Sequence, residues 1–147
     1  MKKIVIRFNA PVILTFALLS LLALLLGNWT NGATTYQYFS VYRASLSDPL
    51  TYVRFFGHVL GHADYEHYMS NMLLILLVGP GLEEKYGSGT MVWTIALTAL
   101  ITGLVHFLFF PNTVLLGASG VVFMMIVLSS FTAMRRGEIP VTLILVV

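Results

Sequence analysis

Two groups of side chains could do chemistry together. His58, His62, His67 and Asn71 follow one another at spacings of four, five and four, and Gly117-Ala118-Ser119-Gly120 stands farther along the chain. A serine hydroxyl becomes a nucleophile when a base takes its proton. The oxyanion that then forms needs hydrogen-bond donors. Asn71 can donate from its amide and His67 from an imidazole N–H. As i and i+4 they share one face of a helix. The chemistry that fits is acyl transfer, with Ser119 at a helix start whose free N–H groups can hold the oxyanion.

The same residues admit other uses. Gly-x-Ser-Gly also serves close helix packing, with the hydroxyl bonded to the preceding turn. It is not the Gly-x-Ser-x-Gly elbow of α/β-hydrolases, because Val121 holds the last position. His58 and His62, with Asp64 and Glu66 nearby, could begin a metal site, although no second cluster completes a ligand set. They could equally be hydrogen-bonded structural histidines that hold a loop. His106 reads as a buried polar contact or an interfacial ring. The chain has no cysteine, which excludes disulfides, thiolate metal sites and a cysteine nucleophile.

The elements that must position these groups are membrane helices. Hydrophobic residues make up 58% of the 147 and charged ones 10%, and the mean hydropathy is +0.88. This excludes an ordinary soluble domain, a disordered chain and a nucleic-acid binder. The net charge of +2 is too small and scattered for a phosphate-binding surface. Apolar runs cover residues 10–26, 68–82, 91–110 and 115–134, and a fifth begins at Ile139-Pro140. The first is read as a retained helix and not a signal peptide, because Gly27-Asn28-Trp29 is a poor cleavage site and a good interfacial end. The aromatic loop from Asn28 to His67 is expected to pack on itself or lie in the interface. Glu83-Glu84-Lys85-Tyr86-Gly87-Ser88-Gly89 reads as a charged turn, and Pro111-Asn112 as another.

If the spans alternate, Lys2, Lys3, Arg7, Lys85, Arg135 and Arg136 fall on one side, and Arg43 and Arg54 on the other. The positive-inside rule then makes the N-terminus cytoplasmic, and the expected compartment is the plasma membrane. His67, Asn71 and Ser119 all lie near the outer ends of their spans, at one depth. Gly117 and Gly120 would let a neighbouring helix or a substrate backbone come close. The run from Pro140 to Val147 is too short to cross a bilayer, so the chain reads as ending inside a helix.

Arg54-Phe55-Phe56-Gly57-His58, then His62, His67 and Asn71, closely resembles the loop and second helix of rhomboid intramembrane serine proteases. Gly117-Ala118-Ser119-Gly120-Val121-Val122 is similar to their active-site serine motif, and residues 83–89 to the turn after their second helix. The resemblance runs from about Arg54 to Arg136. It implies an all-α membrane protein, a rhomboid-like bundle with four full spans and the start of a fifth, forming one C-terminally incomplete domain over 1–147. It implies a serine endopeptidase that cleaves transmembrane proteins, with Ser119 as nucleophile. The Ser119 N–H, His67 and Asn71 would form the oxyanion hole. No metal or organic cofactor is implied, and the partners are substrates and the lipid bilayer, not nucleic acid. The family's base is a histidine on a sixth helix, beyond residue 147, so these residues alone are expected to be inactive. Phe123 stands where the family often stacks an aromatic ring on that histidine, and Val53 where many members have Trp. The alternative is a noncatalytic rhomboid-like protein that binds transmembrane clients. The intact serine and oxyanion residues favour the protease.

Overall fold

A computed structural model describes residues 9–134, with side chains to residue 131. The fifth apolar run lies outside the described residues, as do Lys2, Lys3, Arg7, Arg135 and Arg136. Helix α1 spans Pro11–Trp29, α2 Ala33–Tyr38 and α3 Pro49–Gly57, followed by a 3-10 turn at His58–Leu60. Helices α4 (Tyr65–Tyr86), α5 (Ser88–Phe109) and α6 (Ser119–Met134) complete the described bundle. Helices α1 and α5 are long and apolar enough to cross a membrane, at mean hydropathies of 2.2 and 2.0.

Local chemistry sets the boundaries. Proline opens α1 and α3, where its missing N–H costs no bond. Asp48 caps α3 by accepting from Leu50 N at 3.0 Å. Asp64 caps α4 by accepting from His67 N at 2.8 Å. The expected charged turn at 83–89 is corrected: Glu83 to Tyr86 stay helical, and Gly87 alone, at φ +84°, separates α4 from α5. The apolar run expected as a fourth span from residue 115 becomes helical only at Ser119. Leu115 is extended and pairs with Val41, donating N–H at 2.9 Å and accepting at 2.8 Å.

Glu83 explains why a charged run can remain helical. Its carboxylate is buried, with 2% exposure. One oxygen accepts from Val12 N at 3.0 Å and from Ser88 Oγ at 2.6 Å, and the other from Ile13 N at 3.0 Å. These backbone donors belong to the first turn of α1, which has no partners of its own. One carboxylate thus compensates its burial and fastens α1 to α4 and α5. Gly79 of α4 strengthens the same contact, since a Cβ there would come within 2.7 Å of Ile13 Cδ1.

The aromatic loop packs on itself as expected. Tyr36 and Tyr42 stack at 4.3 Å. Arg54 is buried, lies 4.6 Å over the Tyr42 ring, and donates to Gln37 O at 2.9 Å and to Asp48 at 3.0 Å. Arg43 donates to Phe107 O at 2.6 Å, serving a terminal carbonyl of α5.

Glu83→Ala should strand two backbone N–H groups and the Ser88 hydroxyl, and cost about 2 kcal/mol or more of stability. Reversible unfolding in mixed detergent would measure it. A variant as stable as the parent would show that water replaces the carboxylate.

Candidate active site

The serine stands at the start of α6. The first helical bond there runs from Val122 N to Ala118 O at 2.9 Å. The N–H groups of Ser119, Gly120 and Val121 precede it, so they face out of the helix end with its partial positive charge. Ser119 is exposed, as is Phe123 one turn later on the same face.

Gly117 joins this helix start to α4. It has φ +119°, a conformation that suits only glycine well. A Cβ on it would lie 2.7 Å from both Cε1 and Nε2 of His67. The imidazole of His67 therefore sits over Gly117, two residues before Ser119. The Gly117 N–H is donated to His58 O at 2.9 Å. His58 Nε2 donates to Ala99 O of α5 at 3.0 Å, with Thr102 Oγ1 at 3.4 Å. His62 Nδ1 donates to Leu60 O at 3.2 Å, and its ring stands edge-on to His67 at 5.1 Å and to Tyr68 at 5.5 Å.

Asn71 is buried, and its Nδ2 donates to His67 O at 2.9 Å. An amide carries two N–H groups, so one remains for another acceptor. Ser70 is exposed, with its hydroxyl donating to the same carbonyl at 3.0 Å. His106 is half-buried, at 3.2 Å from Thr113 O and stacked on Phe110 at 5.6 Å. Asp64 serves as a helix cap and Glu66 is exposed. Among the described residues, no group of three His, Cys, Asp or Glu comes together to hold a metal.

Gly117 and Gly120, expected to let a neighbouring helix or a substrate backbone come close, each face a side chain of a neighbouring helix. A Cβ on Gly120 would meet Thr102 Cγ2 at 3.2 Å and Thr98 Cγ2 at 3.8 Å. That side of Gly120 therefore faces α5, a neighbouring helix. Gly117 lies against the His67 imidazole of α4. Sequence reasoning also missed the His58 carbonyl as the anchor of Gly117. The sequence does carry Thr98 and Thr102 at helical spacing, which marks the face that α5 turns toward Gly120 of α6.

Two of the described helices, α1 and α5, are long and apolar enough to cross a membrane, and with the family match they make the chain an integral membrane protein of the helical class. The family model of the Rhomboid domain matches residues 49–146, and the chain belongs to that family. Its members are in general intramembrane serine proteases. A search of curated proteins found no match.

The positive φ of Gly117 and the ring against it predict that Gly117→Ala costs about 2 kcal/mol of stability, from strained backbone and a displaced His67 ring. Unchanged stability would mean that the ring has room to move.

A second prediction concerns pH. Burial pushes His62 from 6.5 down to about 4, partly offset by its bond to the Leu60 carbonyl. Burial lowers His58 as well. As pH falls, the unfolded chain takes up protons first. Stability is therefore full above pH 6.5 and is lost as pH drops toward 4. His62 alone contributes roughly 3 kcal/mol to that loss, at about 1.4 kcal/mol per pKa unit. His62→Phe should flatten much of the slope in a pH series of unfolding curves. An equally steep slope would assign it to other groups.

Proposed function

We propose that this protein is an intramembrane serine endopeptidase that cleaves peptide bonds of transmembrane proteins. The observation that carries the reading is the seating of His67 over Gly117, beside the exposed Ser119 at the start of α6. Ser119 is the nucleophile. The Ser119 backbone N–H, His67 and the amide of Asn71 receive the oxyanion. Asn71 either uses its second N–H or exchanges the His67 carbonyl for the oxyanion, a stronger acceptor because it is charged. Donors fixed before the reaction stabilise developing charge without reorganising.

The proton of Ser119 needs a base. His106 is held by Thr113 and Phe110 at the other end of the α5–α6 connection. The family resemblance assigns the base to a histidine of a sixth helix, with Phe123 available to stack on it. In this reading α1, α4, α5 and α6 all cross the bilayer. The N-terminus is cytoplasmic, the aromatic loop lies on the outer side, and the plasma membrane is the compartment. Lys85 at the end of α4 and Arg43 at the end of α5 fall on opposite sides, as that orientation requires.

In the full-length protein, Ser119→Ala should abolish both cleavage of a transmembrane substrate and labelling by a fluorophosphonate. Asn71→Ala should lower turnover by about 10²-fold, as for loss of one oxyanion donor. Normal cleavage with Ala at position 119 would end the protease reading and leave a client-binding protein. Normal turnover with Ala at position 71 would make Asn71 structural.

A further inference from the structure

The orientation of the His67 ring comes from packing. Its backbone is tied, the N–H to Asp64 and the carbonyl to Ser70 and Asn71. Among the described residues, however, its imidazole makes no hydrogen bond. A histidine that acts in a site is usually oriented by a bond at one ring nitrogen. The torsion that turns the ring is soft and has no sharp rotamer wells. A donor kept ready for an oxyanion therefore takes its orientation from neighbours that leave its N–H unoccupied.

Two contacts supply that orientation. Gly117 lies against the Cε1–Nε2 edge, where a Cβ would come within 2.7 Å of both atoms. The second contact is the ring of His62, edge-on at 5.1 Å with the planes 70° apart. His62 is only 1% exposed and is itself fixed. Its Nδ1 donates to Leu60 O at 3.2 Å, and the Tyr68 ring stands edge-on to it at 5.5 Å. Tyr68 in turn is fastened by its hydroxyl, which donates to Ala17 O of α1 at 3.1 Å. His67 and Tyr68 are neighbours on α4, so their side chains point about 100° apart. His62, from the segment before that helix, touches both rings and couples them.

We infer that His62 is a positioning residue: it holds the His67 imidazole in the orientation from which its N–H reaches the oxyanion. The inference rests on the protease reading and deepens it. Burial keeps His62 uncharged above about pH 4, so it works as a packed ring, and a phenyl ring can stand in for it. Without that ring the donor must be oriented during the reaction instead of beforehand. Aromatic pairs of this geometry carry an energy equivalent to up to about tenfold in rate. The oxyanion exists only along the reaction path, so the loss falls on kcat and not on KM.

The test uses full-length protein in proteoliposomes, with kcat counted per serine labelled by a fluorophosphonate, so that misfolded molecules drop out. His62→Ala should lower kcat about tenfold and leave KM within about twofold. His62→Phe should restore kcat to within about threefold of the parent. In a His67→Ala background, His62→Ala should cost nothing further, because the ring it positions is gone. The ¹⁵N signal of the His67 ring, assigned by its loss in His67→Ala, should shift or broaden in His62→Ala and return in His62→Phe. Should His62→Ala fail to fold, Tyr68→Leu removes the ring behind His62. It should lower kcat several-fold, again only while His67 is present. Unchanged kcat in a parent that cleaves, or an equal loss with and without His67, would overturn the positioning role and leave the protease reading intact. A parent that cleaves nothing would overturn both, and is recognised because Ser119→Ala then changes nothing.

Discussion

His58 is the residue through which the loop, α5 and the serine segment are held in one frame. Its ring is tied to the Ala99 carbonyl and its own carbonyl takes the Gly117 N–H. In a low-dielectric interior an unpaired backbone group costs several kcal/mol, so neither bond is given up cheaply. The aromatic loop is therefore part of the scaffold of the candidate site. Its stacked tyrosines and buried Arg54 serve to deliver one carbonyl and one imidazole to fixed positions.

From that frame the rest of the site follows by sterics. With its N–H fixed, Gly117 takes a positive φ, and the absent Cβ leaves the space that the His67 ring occupies. His62 supports that ring from behind, edge-on. The Ser119 hydroxyl, the open N–H groups of a helix start and the His67 imidazole are thereby set by packing and backbone bonds. The geometry differs from a soluble serine hydrolase, where a strained strand-to-helix elbow presents the serine. Here an extended residue, Leu115, pairs with Val41 just before the helix begins.

Much of this was legible in the sequence. Long apolar runs disclosed the four principal helices, and i, i+4 spacing put His67 and Asn71 on one face. The misses have a common cause. Glu83-Glu84-Lys85 looks like a solvated turn unless one knows that the first turn of α1 lies against it. Leu115 looks like helix unless one knows that Val41 is its partner. Gly120 and Gly117 are equivalent on paper, and only their neighbours, threonines for one and His67 for the other, separate them. Asn71 was legible as a donor, but not its present acceptor. Short-range patterns disclose elements and faces, whereas pairings between distant segments need the folded chain.

Those distant pairings also have a consequence in time. The donors at the start of α1 stand 71 and 70 positions from the Glu83 carboxylate that receives them. At about 5–20 residues per second of synthesis, they wait roughly 4–14 s for it. During that interval α1 is an early helix without its permanent N-terminal partner, served by water or lipid headgroups. Closure of the bundle is then an exchange of those transient partners for a carboxylate that arrives near the end of α4. The order of synthesis and the order of docking are thereby separated, with a single acidic side chain marking the moment at which the first helix becomes part of the whole.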